Sequence, residues 1–120
     1  MISMEVAKNF AQQWVKAWNL HDLDKILLHY AETCELTSPL IVTVLKEPSG
    51  TVKGKQRIRA YWEKALDRVP DLCFELLEVL TSVNSITIYY RSVFGRLAAE
   101  VMFLDKNMKV VRAVAHYNQM

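Results

Sequence analysis

One carboxyl group stands within an otherwise apolar stretch near the end of the sequence. Glu100 lies in the run from Ala98 to Met102, among small and apolar neighbours. If strand alternation turns Glu100 inward, burial favours its protonated form and suits it to act as a general acid or a hydrogen-bond donor. If alternation turns it outward, Glu100 is a solvated charge or a dimer contact. The strand register decides between these two interpretations.

Large aromatic side chains provide flat apolar surfaces in the helical part of the sequence. They are Trp14, Trp18, Tyr30, Tyr61 and Trp62. Such residues commonly line apolar pockets and leave one polar tip available to a ligand. They also commonly fill the core, so each of them has both interpretations.

No arrangement of residues indicates a metal, phosphate or nucleophile site. His21, His29, Cys34, Cys73 and His116 are scattered along the chain without paired ligand spacing. The three glycines fall at turns or a helix start rather than in a phosphate-binding loop, and no nucleophile-elbow motif is present. We therefore expect no metal and no other cofactor. We expect both cysteines to be buried thiols, and the first two histidines, near helix ends, to be exposed.

Composition narrows the class of protein further. The 120 residues, 52% of them hydrophobic, suffice for one core, so we predict a single domain over residues 1–120. The net charge is only +2, and the densest basic run, residues 53–59, alternates with apolar positions, so we expect no nucleic-acid partner. The N-terminus lacks a signal-peptide pattern and no apolar run could span a bilayer. We expect a cytoplasmic protein without a membrane partner.

Hydrophobic periodicity predicts three helices in the first part of the chain. Ser3 is a plausible N-cap for a helix that ends near Asn19, and Asp22 for a shorter second helix. A third helix follows Gly54 and ends before Pro70. The apolar faces comprise Val6, Phe10, Trp14, Ala17 and Trp18 in the first helix, Leu23, Ile26, Leu27 and Tyr30 in the second, and Ile58, Tyr61, Trp62, Ala65 and Leu66 in the third.

The rest of the chain is predicted to form strands. Cys34 to Thr37 reads as a strand stopped by Ser38-Pro39, and Leu40 to Leu45 is rich in branched, β-prone side chains. Four further strands are joined by short turns, which implies an antiparallel meander. They span Leu72 to Leu80, Ile86 to Phe94, Leu97 to Leu104 and Val110 to Asn118. Helices first and strands after is typical of an α+β fold.

Particular residues in this order resemble a known superfamily. The segments are Trp18-Asn19-Leu20-His21-Asp22-Leu23-Asp24, His29-Tyr30-Ala31-Glu32, Ser38-Pro39 and Ile58-Arg59-Ala60-Tyr61-Trp62. They resemble the NTF2-like superfamily, especially its SnoaL-like members and the ketosteroid isomerases. The resemblance implies a cystatin-like cone, in which three N-terminal helices pack on a curved, mixed and largely antiparallel sheet. It also implies a homodimer formed through the outer face of that sheet.

The isomerase pattern carries over only in part. The isomerases place an aspartate base where this chain has Ser38, and an oxyanion tyrosine where it has Trp14. A serine hydroxyl is too weak a base to remove a carbon-bound proton unaided, so ketosteroid isomerase activity is not expected. The resemblance places Glu100 near the third isomerase group, a carboxylic acid, which makes Glu100 the candidate catalytic residue. It turns His116 outward as a candidate for the dimer face, whereas a shifted strand register would turn His116 inward as a general base.

The resemblance also implies a set of pocket residues and three competing functions. The pocket residues are Trp14, Trp18, Tyr30, Ser38, Trp62, Met102, Ala115 and Tyr117. Our first hypothesis is the binding of a small, largely apolar molecule. The second is proton transfer without a cofactor, as in an isomerase or cyclase, with Glu100 as acid or base and Trp14 or Ser38 orienting the substrate. The third is a protein-binding module, whose cavity would be filled by its own side chains.

Overall fold

A computed structural model describes residues 1–120 and contains four α-helices. Their bounds are Met4–Asn19 (α1), Leu23–Leu27 (α2), Pro39–Leu45 (α3) and Lys55–Arg68 (α4). None of the four combines the length and the apolar character that crossing a membrane requires.

The six strands form one mixed sheet. Their bounds are Tyr30–Thr37 (β1), Thr51–Lys53 (β2), Glu75–Thr81 (β3), Ser85–Arg91 (β4), Leu97–Leu104 (β5) and Val110–Tyr117 (β6). The spatial order is β2-β1-β6-β5-β4-β3, in which β1 and β6 run parallel and every other pair runs antiparallel. The α+β architecture with a curved, mostly antiparallel sheet is therefore confirmed.

The first two helices begin at the predicted caps. The Ser3 hydroxyl accepts a hydrogen bond from the Val6 amide at 3.1 Å, and the Asp22 carboxylate accepts one from the Lys25 amide at 3.1 Å. The buried face of α1 includes the predicted Phe10, Trp14, Ala17 and Trp18, and it also includes Ala7, Ala11 and Val15. Val6, which we placed on that face, is exposed instead.

The segment that we predicted as β-prone, Leu40 to Leu45, is helical. Ser38 caps α3 by accepting from the Leu40 amide at 3.2 Å, and Pro39 occupies the first turn, where its missing N–H leaves no bond unmade. Ile41 is fully buried, so tertiary packing overrides the β-propensity of the branched residues. The fold thus has four helices rather than three.

Two strand boundaries also differ from the prediction. Tyr30 opens β1 instead of closing the apolar face of α2, and the short strand β2 pairs with β1 through Leu36 and Val52. Strand β4 ends at Arg91 because residues 92–96 turn back towards β5 through a 3-10 turn.

Alternation along the meander separates an inner face from an outer face. On the inner face Glu100 of β5 lies between Ile88 of β4 and Ala115 of β6. On the outer face Val101 lies between Thr87 and Val114. The inner-face residues belong to the core shared with the helices, so the register places Glu100 inside the protein.

Candidate functional site

A cavity of about 330 Å³ lies between the inner face of the sheet and helices α1, α3 and α4. Of its 22 lining residues 16 are hydrophobic, so the wall suits an apolar molecule. Each of these helices contributes lining residues, among them Trp14, Val44 and Trp62, while the sheet contributes Glu100 and Ala115. The volume is at the small end of the roughly 300–1,000 Å³ that is typical of ligand pockets.

Glu100 is the one acidic side chain in the cavity wall. It is only 5% exposed, and the Tyr90 hydroxyl donates a hydrogen bond to Glu100 Oε1 at 3.1 Å. Burial raises the pKa of Glu100 to about 7, against the smaller opposing effect of the Tyr90 hydrogen bond. Both protonation states are therefore accessible near neutral pH, as a general acid or base requires.

Tyrosine hydroxyls surround this carboxyl group. Burial raises the pKa of Tyr61 to about 12 and, together with the nearby Glu100 charge, raises the pKa of Tyr90 and Tyr117 above the usual value. The Ser38 hydroxyl lies close enough to Tyr61 and Tyr117 to oppose these shifts. Only the contact between Tyr90 and Glu100 has hydrogen-bond geometry, so the other hydroxyls keep donor capacity for a ligand.

The tryptophans form an edge-to-face cluster along the helical wall. The ring centroids of Trp18 and Trp62 are 5.0 Å apart, and those of Trp14 and Trp18 are 6.1 Å apart. Trp14 Nε1 donates to the Tyr30 hydroxyl at 3.0 Å, so the indole N–H is already used within the protein. Trp18 Nε1 is buried and has no hydrogen-bond partner. A buried donor without a partner raises the free energy of the folded chain, and a ligand oxygen that reached it would remove this cost.

Comparison with known proteins identifies the family of the chain. The family model described as the SnoaL-like domain matches residues 11–117. The chain belongs to this family. No curated protein matches it in sequence.

Solved structures of SnoaL-like and NTF2-like proteins share the fold. A SnoaL-like protein of unknown function from Burkholderia thailandensis is 47% identical, with 97% of each chain covered and a TM-score of 0.93. A protein from Agrobacterium tumefaciens, to which isomerase activity within the SnoaL-like family is provisionally assigned, is 20% identical, with 96% of this chain and 99% of that chain covered and a TM-score of 0.77. An NTF2-like protein of unknown function from Cytophaga hutchinsonii is 12% identical, with 98% and 95% covered and a TM-score of 0.73. The last two show the fold alone.

Seven of the nine residues that we selected from the sequence line the cavity of this SnoaL-like protein. They are Trp14, Trp18, Ser38, Trp62, Glu100, Ala115 and Tyr117. Tyr30 and Met102 do not. Tyr30 lies behind the wall, against the Trp14 indole N–H, and Met102 packs between Ile86 and Ala113 in the core. Both residues are buried, but neither contributes to the cavity wall.

The histidines stay outside the cavity wall. His21 is half-buried, with Nε2 2.8 Å from the Leu72 carbonyl oxygen, and His29 is half-buried against the Phe10 ring at 4.8 Å. The expectation that both are exposed is therefore wrong. Burial, aided by the charge of Lys109, lowers the pKa of His29. His116 is exposed, and it lies on the outer face beside Ala99.

The cysteines and acidic residues form no metal site. Cys34 is buried as expected, whereas Cys73 is exposed, which corrects the expectation of two buried thiols. No three His, Cys, Asp or Glu side chains lie close enough together to hold a metal ion.

Sequence reasoning missed several lining residues that the strand pattern contains. Tyr90, the hydrogen-bond partner of Glu100, follows Ile86 and Ile88 at two-residue steps, which puts all three on the inner face. The strand that the sequence predicts up to Phe94 ends at Arg91, and a turn follows. Strand alternation therefore does not identify the lining residues of that turn, which include Phe94 and Arg96.

Proposed function

We propose that this SnoaL-like protein binds a small, largely apolar molecule in the cavity between its sheet and helices. The observation that carries the proposal is the mostly hydrophobic wall with a single buried carboxyl group, Glu100. Transfer of an apolar molecule from water to this cavity lowers the free energy by about 25 cal/mol per Å² of apolar surface buried. The few polar groups then set its orientation.

Intrinsic fluorescence offers a direct test. All three tryptophans of the chain line the cavity, so a ligand that enters it must change their environment. We expect anilinonaphthalene, an uncharged apolar probe, to bind with saturation, detected by energy transfer from tryptophan to the probe.

A variant that narrows the cavity provides the control. Ala65→Phe adds a ring to the cavity wall from α4, at a half-buried position. Ala60→Phe adds the same ring at an exposed position of the same helix, outside the cavity lining. We expect the first variant to lose probe binding and the second to keep it. Equal affinity in both variants would overturn the proposal that the cavity is the binding site.

Proton transfer at Glu100 is the second candidate function, favoured by its pKa of about 7. The Glu100 carboxylate would take a proton from a carbon next to a substrate carbonyl and return it to another carbon, so the atoms balance without a cofactor. Tyr117 and Ser38 lie near enough to line the same site, whereas Trp14, which we expected to orient the substrate, has already donated its N–H to Tyr30.

Glu100→Gln separates binding from proton transfer because it keeps the shape of the side chain and removes its titration. The assay is the uptake of deuterium from heavy water into tetralone, an apolar bicyclic ketone, followed by nuclear magnetic resonance. An exchange catalysed by the wild type and lost in Glu100→Gln, with unchanged anilinonaphthalene affinity, supports the enzyme. Exchange that survives the substitution removes Glu100 from the reaction.

The third hypothesis, a protein-binding module, predicts a cavity filled by side chains. The 330 Å³ cavity does not match that prediction, so we do not pursue it.

A homodimer through the outer sheet face remains part of the proposal. Val101 and Val114 pair at the centre of that face and are half-buried, with Tyr89 and Phe103 beside them. A second copy would cover this apolar row. Light scattering should give twice the 13.9 kDa chain mass for the wild type and the monomer mass for Val101→Lys. A monomeric wild type would refute the dimer.

A further inference from the structure

The two ends of the cavity differ in exposure. The wall near Glu100 is buried, whereas Thr43, Arg68 and Phe94 are exposed and Arg96 is half-buried. The cavity therefore opens between the end of α4, which carries Arg68, and the turn between β4 and β5, which carries Phe94 and Arg96. We call Arg68 and Arg96, with Phe94 beside Arg96, the mouth subsite.

Both arginines of the mouth subsite lack an acidic partner. Arg59 pairs with Asp24 at 2.8 Å and Arg91 with Glu75 at 3.4 Å, but neither Arg68 nor Arg96 makes an ion pair or a side-chain hydrogen bond. The sole acidic group of the cavity wall is Glu100, at the buried end. Two guanidinium groups are thus available at the opening, and a guanidinium group can donate two hydrogen bonds to a pair of oxygens on one anion.

The Phe94 ring and the local backbone define where Arg96 lies. The Arg96 guanidinium is 5.4 Å from the centroid of the Phe94 ring, within the range of a cation–π contact. Phe94 has φ 59° and ψ 25°, a left-handed conformation that is rare for a bulky residue, and the Ser92 amide donates to the Arg96 carbonyl at 2.7 Å across the turn. This turn holds an unfavourable backbone conformation while presenting an aromatic ring and a cation at the mouth.

Charge also dictates which way round a ligand would enter. A ligand anion placed near Glu100 would be repelled by the ionised Glu100 carboxylate, and burial of both charges makes this placement unfavourable. An anion at the mouth would instead meet two cations and remain partly hydrated. An acidic ligand therefore enters with its apolar body first.

We propose that the cavity takes an amphipathic acid, whose apolar body lies between the tryptophans and whose carboxylate or similar anion binds Arg68 and Arg96 at the mouth. This inference rests on the proposed binding function and names the class of ligand for the same site.

Two probes that differ by one anionic group test the inference. Anilinonaphthalene sulfonate has the apolar rings of anilinonaphthalene and adds a sulfonate. We expect the wild type to bind the sulfonate more tightly than the neutral probe. In Arg68→Gln/Arg96→Gln, the affinity for the sulfonate should fall by about 10-fold, from the loss of two partly exposed charge-assisted contacts, while the affinity for the neutral probe stays within about 2-fold.

A double variant with the same change in net charge is the control. Arg57→Gln/Lys64→Gln removes two exposed charges from α4 outside the cavity lining and should leave both affinities unchanged. If both double variants weaken the sulfonate equally, general electrostatic attraction explains the effect and the mouth subsite is overturned. If neither does so, the inference is also overturned, while saturable binding of the neutral probe would leave the proposed function standing. Failure of both probes to bind the wild type would count against the proposed function itself.

Discussion

The buried end of the cavity and its mouth are built from different chemistry. At the buried end one carboxyl group is enclosed by tyrosines and tryptophans, and every one of these groups is held by packing from several elements. At the mouth, Phe94 is 75% exposed and two arginines lack acidic partners. The fold therefore depends on the residues of the buried end and does not depend on those of the mouth.

This separation has a physical basis. A residue at the buried end contributes to stability through apolar area and through contacts that water cannot replace. A residue at the mouth keeps most of its hydration in both the unfolded and the folded chain. It therefore contributes little to stability and is available to a ligand. Substitutions at the two ends should therefore differ in kind: stability changes at one and binding changes at the other.

The largest expected effect is on stability, at the buried end. Trp14 is 2% exposed, packs against Trp18 and Phe74, and donates to Tyr30. Trp14→Ala should lower the free energy of unfolding by about 3–5 kcal/mol, because it creates a cavity and leaves the Tyr30 hydroxyl unpaired. Urea denaturation followed by circular dichroism measures this change.

Phe94→Ala is the matched substitution at the mouth. It removes a smaller aromatic ring that is mostly in water, so the free energy of unfolding should change by no more than about 0.5 kcal/mol. A loss at Phe94 comparable to that at Trp14 would show that the turn between β4 and β5 is part of the core, and the comparison between the two ends would fail.

The elements that periodicity could predict are those in which local pattern and tertiary packing agree. The helix α1, its Ser3 cap and the meander follow from spacing because each apolar face that the pattern predicts is the face that packs. The segment Pro39–Leu45 could not be predicted in this way. Its branched residues favour strand, and the deciding contribution, the burial of Ile41 under the rest of the fold, comes from residues distant in sequence.

The residues of the candidate site also differ in whether the local sequence pattern could predict their positions. The family resemblance places Tyr117 inward, whereas the direction of Glu100 depends on a strand register that the sequence leaves open. Parity also does not say how far along the strand the cavity extends. Met102 has the parity of Glu100 and lies in packed core two residues further on. The bond from Trp14 to Tyr30 was equally out of reach, since it joins residues 16 positions apart whose meeting depends on how α1 crosses the sheet.

The second prediction concerns pH and the carboxyl group at the buried end. Burial raises the pKa of Glu100 from 4.5 to about 7, so the folded chain binds more protons than the unfolded chain between these values. Stability must then fall as pH rises from about 4.5 through 7. Glu100→Gln removes this dependence, and it should be more stable than the wild type by about 3 kcal/mol at pH 8, from roughly 1.4 kcal/mol per pKa unit. Near pH 4 the difference should vanish.

Glu78→Gln supplies the control for this pH dependence. Glu78 is exposed on β3 and forms no ion pair, so its substitution should leave the curve of stability against pH unchanged in shape. Urea titrations of the three proteins between pH 4 and 8 make the comparison. A wild-type curve that runs parallel to that of Glu100→Gln would mean that the carboxyl group reaches solvent, and the proton-transfer alternative would lose its support.

The smallest expected effect is at the unpaired indole N–H of Trp18, one of the buried tryptophans. Trp18→Phe keeps an aromatic ring and removes the donor. We expect it to weaken the binding of acetylnaphthalene, whose carbonyl can accept from Nε1, by about 2–10-fold, the value of one ordinary hydrogen bond. Isopropylnaphthalene has nearly the same shape without an acceptor, so its affinity should change by less than about 2-fold. Displacement of anilinonaphthalene measures both affinities.

Trp14→Phe distinguishes a lost hydrogen bond from an altered wall. Its indole N–H is already donated to Tyr30, so both naphthalenes should respond equally to the substitution. If Trp18→Phe also affected them equally, its N–H would have no part in recognition. Selectivity for neutral, oxygen-bearing ligands would then rest on the hydroxyls around Glu100.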